Sequence, residues 1–208
     1  MHIFVLFYEK LLQLRKIMSE KIVLYFKNDV EWRNWLQQNY ARTEGIYLIF
    51  YKVNHAMESM RWEEAVKVAL CFGWIDSTVK SLGDGKRQQY FSPRKQKSVW
   101  SKLNKTYIKL LIKNELMHDS GLVKIKQAKK DGSWNVLDNV ENGIIPKDLR
   151  NAFNQNEIAF KNYTAFSKSY RKNYLYWLHK AKREATRLKR ISEIINLCEN
   201  NIKSRENR

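Results

Sequence analysis

Ala69-Leu-Cys-Phe-Gly-Trp-Ile-Asp76, Tyr90-Phe-Ser-Pro-Arg94 and Ser98-Val-Trp-Ser-Lys-Leu-Asn104 follow one another closely in the chain, and their reading decides the fold. The first segment ends a helix. Trp62, Ala65, Val66, Ala69 and Leu70 recur at helical spacing, Ser59 is the expected N-cap, and Glu63 and Glu64 occupy the dipole-favoured first turn. Gly73 stands where a helix needs a residue of positive φ to stop. Residues 74–81 and 87–92 then read as a hairpin turned by Gly83-Asp84-Gly85, with Pro93 ending the second strand. From Ser98 the period becomes helical, with Trp100, Leu103, Tyr107, Leu110 and Leu111 expected on one buried side.

Upstream, residues 22–26 read as a short strand, and Asn28 with Glu31 forms a capping-box-like pair opening a helix with Trp32, Trp35, Leu36 and Tyr40 inside. Residues 46–52, entered through Gly45, form a second strand rich in β-branched and aromatic side chains. Downstream only helices are expected: residues 120–130, short helices after Pro146, then 168–181 capped by Ser167, and 184–200. The predicted class is α+β, a small antiparallel sheet with flanking helices followed by a helical C-terminal half. Residues 1–17 are expected to be a non-core extension, 18–97 the sheet domain, and 98–208 a helical region packed on it.

The 208 residues, 44% hydrophobic and 13% aromatic, suffice for a substantial core. Two cysteines, Cys71 and Cys198, are too few for a disulfide framework and point to a reducing, cytoplasmic setting. No apolar run reaches the length of a membrane span, so no integral membrane segment is expected. The net charge of +18 is concentrated: residues 80–113 carry +9 and residues 168–190 carry +8. Such blocks point to a polyanion such as nucleic acid, or to an acidic protein, as partner.

The histidines are isolated and no paired-cysteine spacing occurs, so no metal and no cofactor is expected. No glycine-rich phosphate loop is present. Two candidate sites remain. Alternation along a strand puts Trp74 and Asp76 on one face, within reach of Arg94; with Glu44, Trp100 and Asn104 they outline a pocket for a small molecule, or else Asp76 and Arg94 form a structural lock. The second candidate is a polyanion surface. Lys102, Lys105, Lys109 and Lys113 recur along one helix, and Arg183, Arg187 and Arg190 along another.

The quoted blocks, together with Gly121-Leu122, the segment from Ala128 to Trp134 and that from Ala181 to Ile191, resemble the YdeI/OmpD-associated family of bacteriocin-protection proteins, over residues 32–197. Glu184 departs from that pattern, in which proline is common. The resemblance implies a cytoplasmic bacterial protein tied to tolerance of bacteriocins and membrane-active peptides, and it carries no catalytic residue across. The expected function is therefore binding of an anionic or small-molecule partner, with a nucleic-acid-binding module, or an enzyme using Asp76 in the Trp-lined pocket, as alternatives.

Overall fold

The computed structural model describes residues 22–205; the expected extension at 1–17 lies outside them. The elements run β1 (Val23–Tyr25), α1 (Asp29–Asn39), β2 (Ile46–Tyr51), α2 (Trp62–Cys71), β3 (Trp74–Gly83), β4 (Lys86–Pro93), α3 (Lys102–Lys113), α4 (Asp119–Lys130), α5 (Asp138–Glu141), α6 (Lys147–Asn154), α7 (Glu157–Ala165), α8 (Lys168–His179) and α9 (Glu184–Glu199). This is the α+β class read from the sequence. The sheet, in order β1-β2-β4-β3, is mixed where an antiparallel one was expected: β2, β4 and β3 pair antiparallel, but β1 lies parallel to β2. Parallel neighbours need a crossover, and the 11-residue α1 supplies it.

Several local expectations hold in atomic detail. Asn28 Oδ1 accepts from the Glu31 amide at 3.0 Å, and the Glu31 carboxylate accepts from the Lys27 amide at 2.9 Å. Gly73 follows the C-cap Phe72 with φ +76°, and the β3–β4 turn takes positive φ at Gly83, Asp84 and Gly85. Two expectations are corrected. Ser59 does not cap α2, because its hydroxyl accepts from the Tyr51 amide at the end of β2; Arg61 holds the N-cap position. The helix expected from Ser98 begins at Lys102, so Trp100 precedes it, and the buried line is Tyr107, Ile108 and Leu111, with Leu103 and Leu110 exposed.

The described chain falls into two compact units. The first comprises the sheet, α1, α2, the segment from Asn104 and α4. One face of its sheet is covered: Trp32 of α1 lies 5.8 Å edge-on to Phe91 and 6.3 Å from Trp74, and donates its indole N–H to the Ala65 carbonyl of α2. A Cβ on Gly121 of α4 would stand 2.2 Å from the Cys71 carbonyl, so only glycine lets α4 approach the end of α2 that closely. The second unit holds residues 99–103 and the helices from 132 onward. Its core gathers Leu149, Phe153, Tyr163, Tyr174, Leu178 and Ile194.

Candidate functional site

At the end of the sheet where β2 and β3 begin and β4 finishes, the first unit opens a cleft of about 860 Å³. Arg42 and Glu44 enter it from the α1–β2 loop, Gly73 and Trp74 from the α2–β3 junction, Arg94 and Lys95 from just past β4, and Lys124 from α4. Four cations therefore face one carboxylate. Their burial matters as much as their number. Arg94 is only 3% exposed; burial lowers its pKa to about 9, while the Asp76 carboxylate pushes the other way. Its amide donates to the Gly73 carbonyl at 2.9 Å, which fixes where the side chain departs. Arg42 Nε is buried and finds no hydrogen-bond partner among the described residues. A desolvated guanidinium of this kind gains from an anion that supplies both charge and acceptor lone pairs.

Glu44, Trp74 and Arg94 of the sequence-derived pocket do line this cleft. The others lie elsewhere. Asp76 sits on the helix-covered face opposite Phe91, where its Oδ2 accepts from Trp62 Nε1 at 2.9 Å and from Gln89 Nε2 at 2.5 Å. Trp74 donates its indole N–H to the Tyr40 carbonyl at 3.0 Å. Trp100 belongs to the second unit and packs there 5.0 Å from Trp134, and Asn104 lies in the first turn of α3.

Along α3, Lys102, Lys109 and Lys113 are exposed and Lys105 is half-buried. The arginines of α9 are more engaged. Arg187 grips Asp148 through Nε at 2.5 Å and through its terminal nitrogen at 3.0 Å, and holds that carboxyl below its ordinary range. Arg190 donates to the Trp177 carbonyl and lies 5.0 Å over the Trp177 ring. Arg183, just before α9, stays exposed. Burial pushes the Cys71 thiol up and that of Cys198 up to about 12, so neither is an activated nucleophile.

Sequence reasoning missed Arg42, Lys95 and Lys124, whose spacing carries no periodic signal. It also missed a second cavity of about 580 Å³ beyond the start of α2, walled by Phe50, Trp62 and Val79. Of the cations there, Lys52, Arg61 and Arg87 are exposed and Lys86 is half-buried, so none is as desolvated as Arg94. Among the described residues no group of His, Cys, Asp or Glu could hold a metal ion, and no helix is long and apolar enough to cross a membrane.

Comparison with known families finds two separate matches along the chain. Residues 142–201 match the family described as bacteriocin-protection, YdeI or OmpD-associated. Residues 24–124 match a different model, a domain of unknown function (DUF8412). The blocks around Gly73, Pro93 and Trp100 that carried the resemblance thus fall within that second match, and the YdeI/OmpD-associated match is confined to helices α6 to α9 and the loop before them. No curated protein and no solved structure matches the chain significantly.

Proposed function

We propose that this protein works by binding an anionic ligand in the cleft at the end of its sheet, as a cytoplasmic stress or bacteriocin-tolerance protein. The observation that carries this reading is the pair of guanidiniums: Arg94, 3% exposed, and Arg42, whose Nε is buried without an acceptor among the described residues. Lys95 and Lys124 add charge at the rim, and Glu44 is the one carboxylate opposing them. The hydroxyls of Ser77 and Ser92 offer neutral donors suited to a phosphate or carboxylate group. The family name attached to residues 142–201 supports the tolerance role, and the site itself supports binding more than bond-making. Asp76, the carboxylate considered for catalysis, spends its Oδ2 on Trp62 and Gln89 and does not line the cleft.

Inorganic pyrophosphate is the simplest probe. Added at about 100 times its dissociation constant, it should stabilise the chain by about 2.7 kcal/mol, beyond the effect of sodium chloride at equal ionic strength. Arg42→Gln combined with Lys124→Gln should remove most of that increment. The triple change of Lys102, Lys105 and Lys109 to Gln should leave it in place. An increment that survives the first pair and disappears with the α3 lysines would move the anion site from the cleft to the helix.

A further inference from the structure

The sheet has a second face, and its composition is unusual. Register fixes which side chains point away from the helices: Tyr47 pairs with Tyr90, Ile49 with Gln88, Tyr51 with Lys86, and Tyr25 of β1 stands beside Ile49. On β3, Lys80 pairs with Gln88 and shares that face. An open sheet face normally alternates to polar side chains. Here four tyrosines, Tyr25 exposed and Tyr47, Tyr51 and Tyr90 half-buried, surround Ile49, which is 9% exposed.

These rings are organised in pairs. Tyr47 and Tyr90 lie 5.0 Å apart, Tyr25 meets Tyr51 edge-on at 5.6 Å, and Tyr51 stacks on His55 at 4.6 Å. Along β2, outward positions recur every two residues, about 7 Å, so Tyr47 and Tyr51 offer separated aromatic surfaces on one strand. The charge on this face has one sign. Lys80 and Lys86 are its ionic side chains in the register, with no carboxylate among the outward residues of the paired strands. Tyr90 also lines the basic cleft, and its hydroxyl accepts from the Gly45 amide at 3.2 Å, so the aromatic face runs directly into Arg42, Arg94 and Lys95.

We infer that the open sheet face is a stacking platform for single-stranded nucleic acid, its bases lying on the tyrosines and its phosphates running toward the cleft. The inference rests on the anion-binding reading of that cleft and names its ligand class. Aromatic faces accept any unstacked base, while flanking lysines and arginines neutralise the backbone. A duplex keeps its bases stacked internally and presents only phosphates to such a face.

The test is fluorescence anisotropy of the full chain with labelled oligo(dT), oligo(U) and a duplex of matched length, over a range of salt. Single strands should bind more tightly than duplex, and comparison of the two single strands shows whether the 2′-hydroxyl is read. Tyr47→Ala should weaken single-strand binding by roughly 5- to 100-fold, whereas Tyr47→Phe, which keeps the ring, should stay within about twofold. Lys80→Gln with Lys86→Gln should flatten the salt dependence by about 1.4, at about 0.7 per phosphate, a readout that does not depend on Tyr47→Ala folding. Tyr47 does not line the cleft, so pyrophosphate should stabilise Tyr47→Ala as it does the parent chain. Equal affinity for duplex and single strand, indifferent to Tyr47→Ala, would overturn the platform. So would an absence of oligonucleotide binding while pyrophosphate still stabilises the protein. If pyrophosphate fails as well, the cleft reading falls with it.

Discussion

Asp76 shows how a single carboxylate can look reactive in sequence and prove structural in space. It lies between two aromatic-rich segments near several cations, which is how a catalytic acid also reads. The bulge in β3 between Asp76 and Val79 and the start of α2 bring it instead under the Trp62 indole, with Gln89 from the neighbouring strand on the same oxygen. Two donors on a half-buried carboxylate make its charge part of the packing. Asp76→Asn should therefore destabilise the fold by about 1–3 kcal/mol in urea titration, and Trp62→Phe should cost a comparable amount. The double variant should fall short of the sum, because both changes remove one interaction. Unchanged unfolding for both single variants would show that the carboxylate is free for another role. Arg94 illustrates the converse. Its cation was legible in the sequence as a possible partner for Asp76, but its 3% exposure follows from β4 ending at Pro93 and its own amide bonding to Gly73, which no local pattern announces.

Elements whose signals are local were legible; those set by distant contacts were not. Asn28, Ser167 and the Gly83-Asp84-Gly85 turn act within a few residues, so composition alone placed them. Ser59 failed as a cap because β2, eight residues upstream, claims its hydroxyl. The start of α3 slipped because Trp100 matches the helical period but is buried against Trp134, far along the chain. Two element-scale predictions follow from such contacts. Gly121→Ala would force a Cβ to 2.2 Å from the Cys71 carbonyl, so α4 must shift from α2, at about 1–3 kcal/mol or more by thermal unfolding; a neutral result would mean the α2–α4 contact is slack. Between α6 and α9, Arg187 holds the Asp148 carboxyl below its ordinary value of 3.8 chiefly through its hydrogen bonds. The unfolded chain then takes up the proton first. The stabilisation is complete above the ordinary carboxyl range and is lost as pH falls through the lowered value. Because the pair is about a third exposed, its worth is about 0.2–1 kcal/mol. Stability measured from pH 6 to pH 3 should fall less steeply in Arg187→Gln than in the parent; identical profiles would show that the pair contributes nothing.

At the scale of the molecule, charge was the loudest signal in the sequence and the least precise. The basic blocks at residues 80–113 and 168–190 led to two helical stripes, yet Arg187 and Arg190 are occupied by Asp148 and Trp177. Arg94, the buried arginine of the described chain, is joined instead by Arg42 and Lys95 from two loops and Lys124 from a helix around the end of the sheet. Tertiary folding alone brings Arg42, Arg94 and Lys124 together, so spacing along the chain could not reveal them. The open face was partly legible, since Tyr47 and Tyr51 share one side of a strand, but which side the helices leave uncovered depends on the packing of Trp32 and Trp62. The two family matches are separate: the sheet-bearing residues 24–124 hold both the cleft and the tyrosine face, and residues 142–201 hold helices that match the bacteriocin-protection family. The central claim, that the cleft is the seat of an anion, is tested most directly by mapping backbone amide chemical shifts during a pyrophosphate titration of the full chain. Saturable shifts centred on the amides of Arg42, Gly45, Gly73 and Lys95 are the expected result. Shifts confined to α3 or α9, or a diffuse response that tracks ionic strength without saturating, would contradict it.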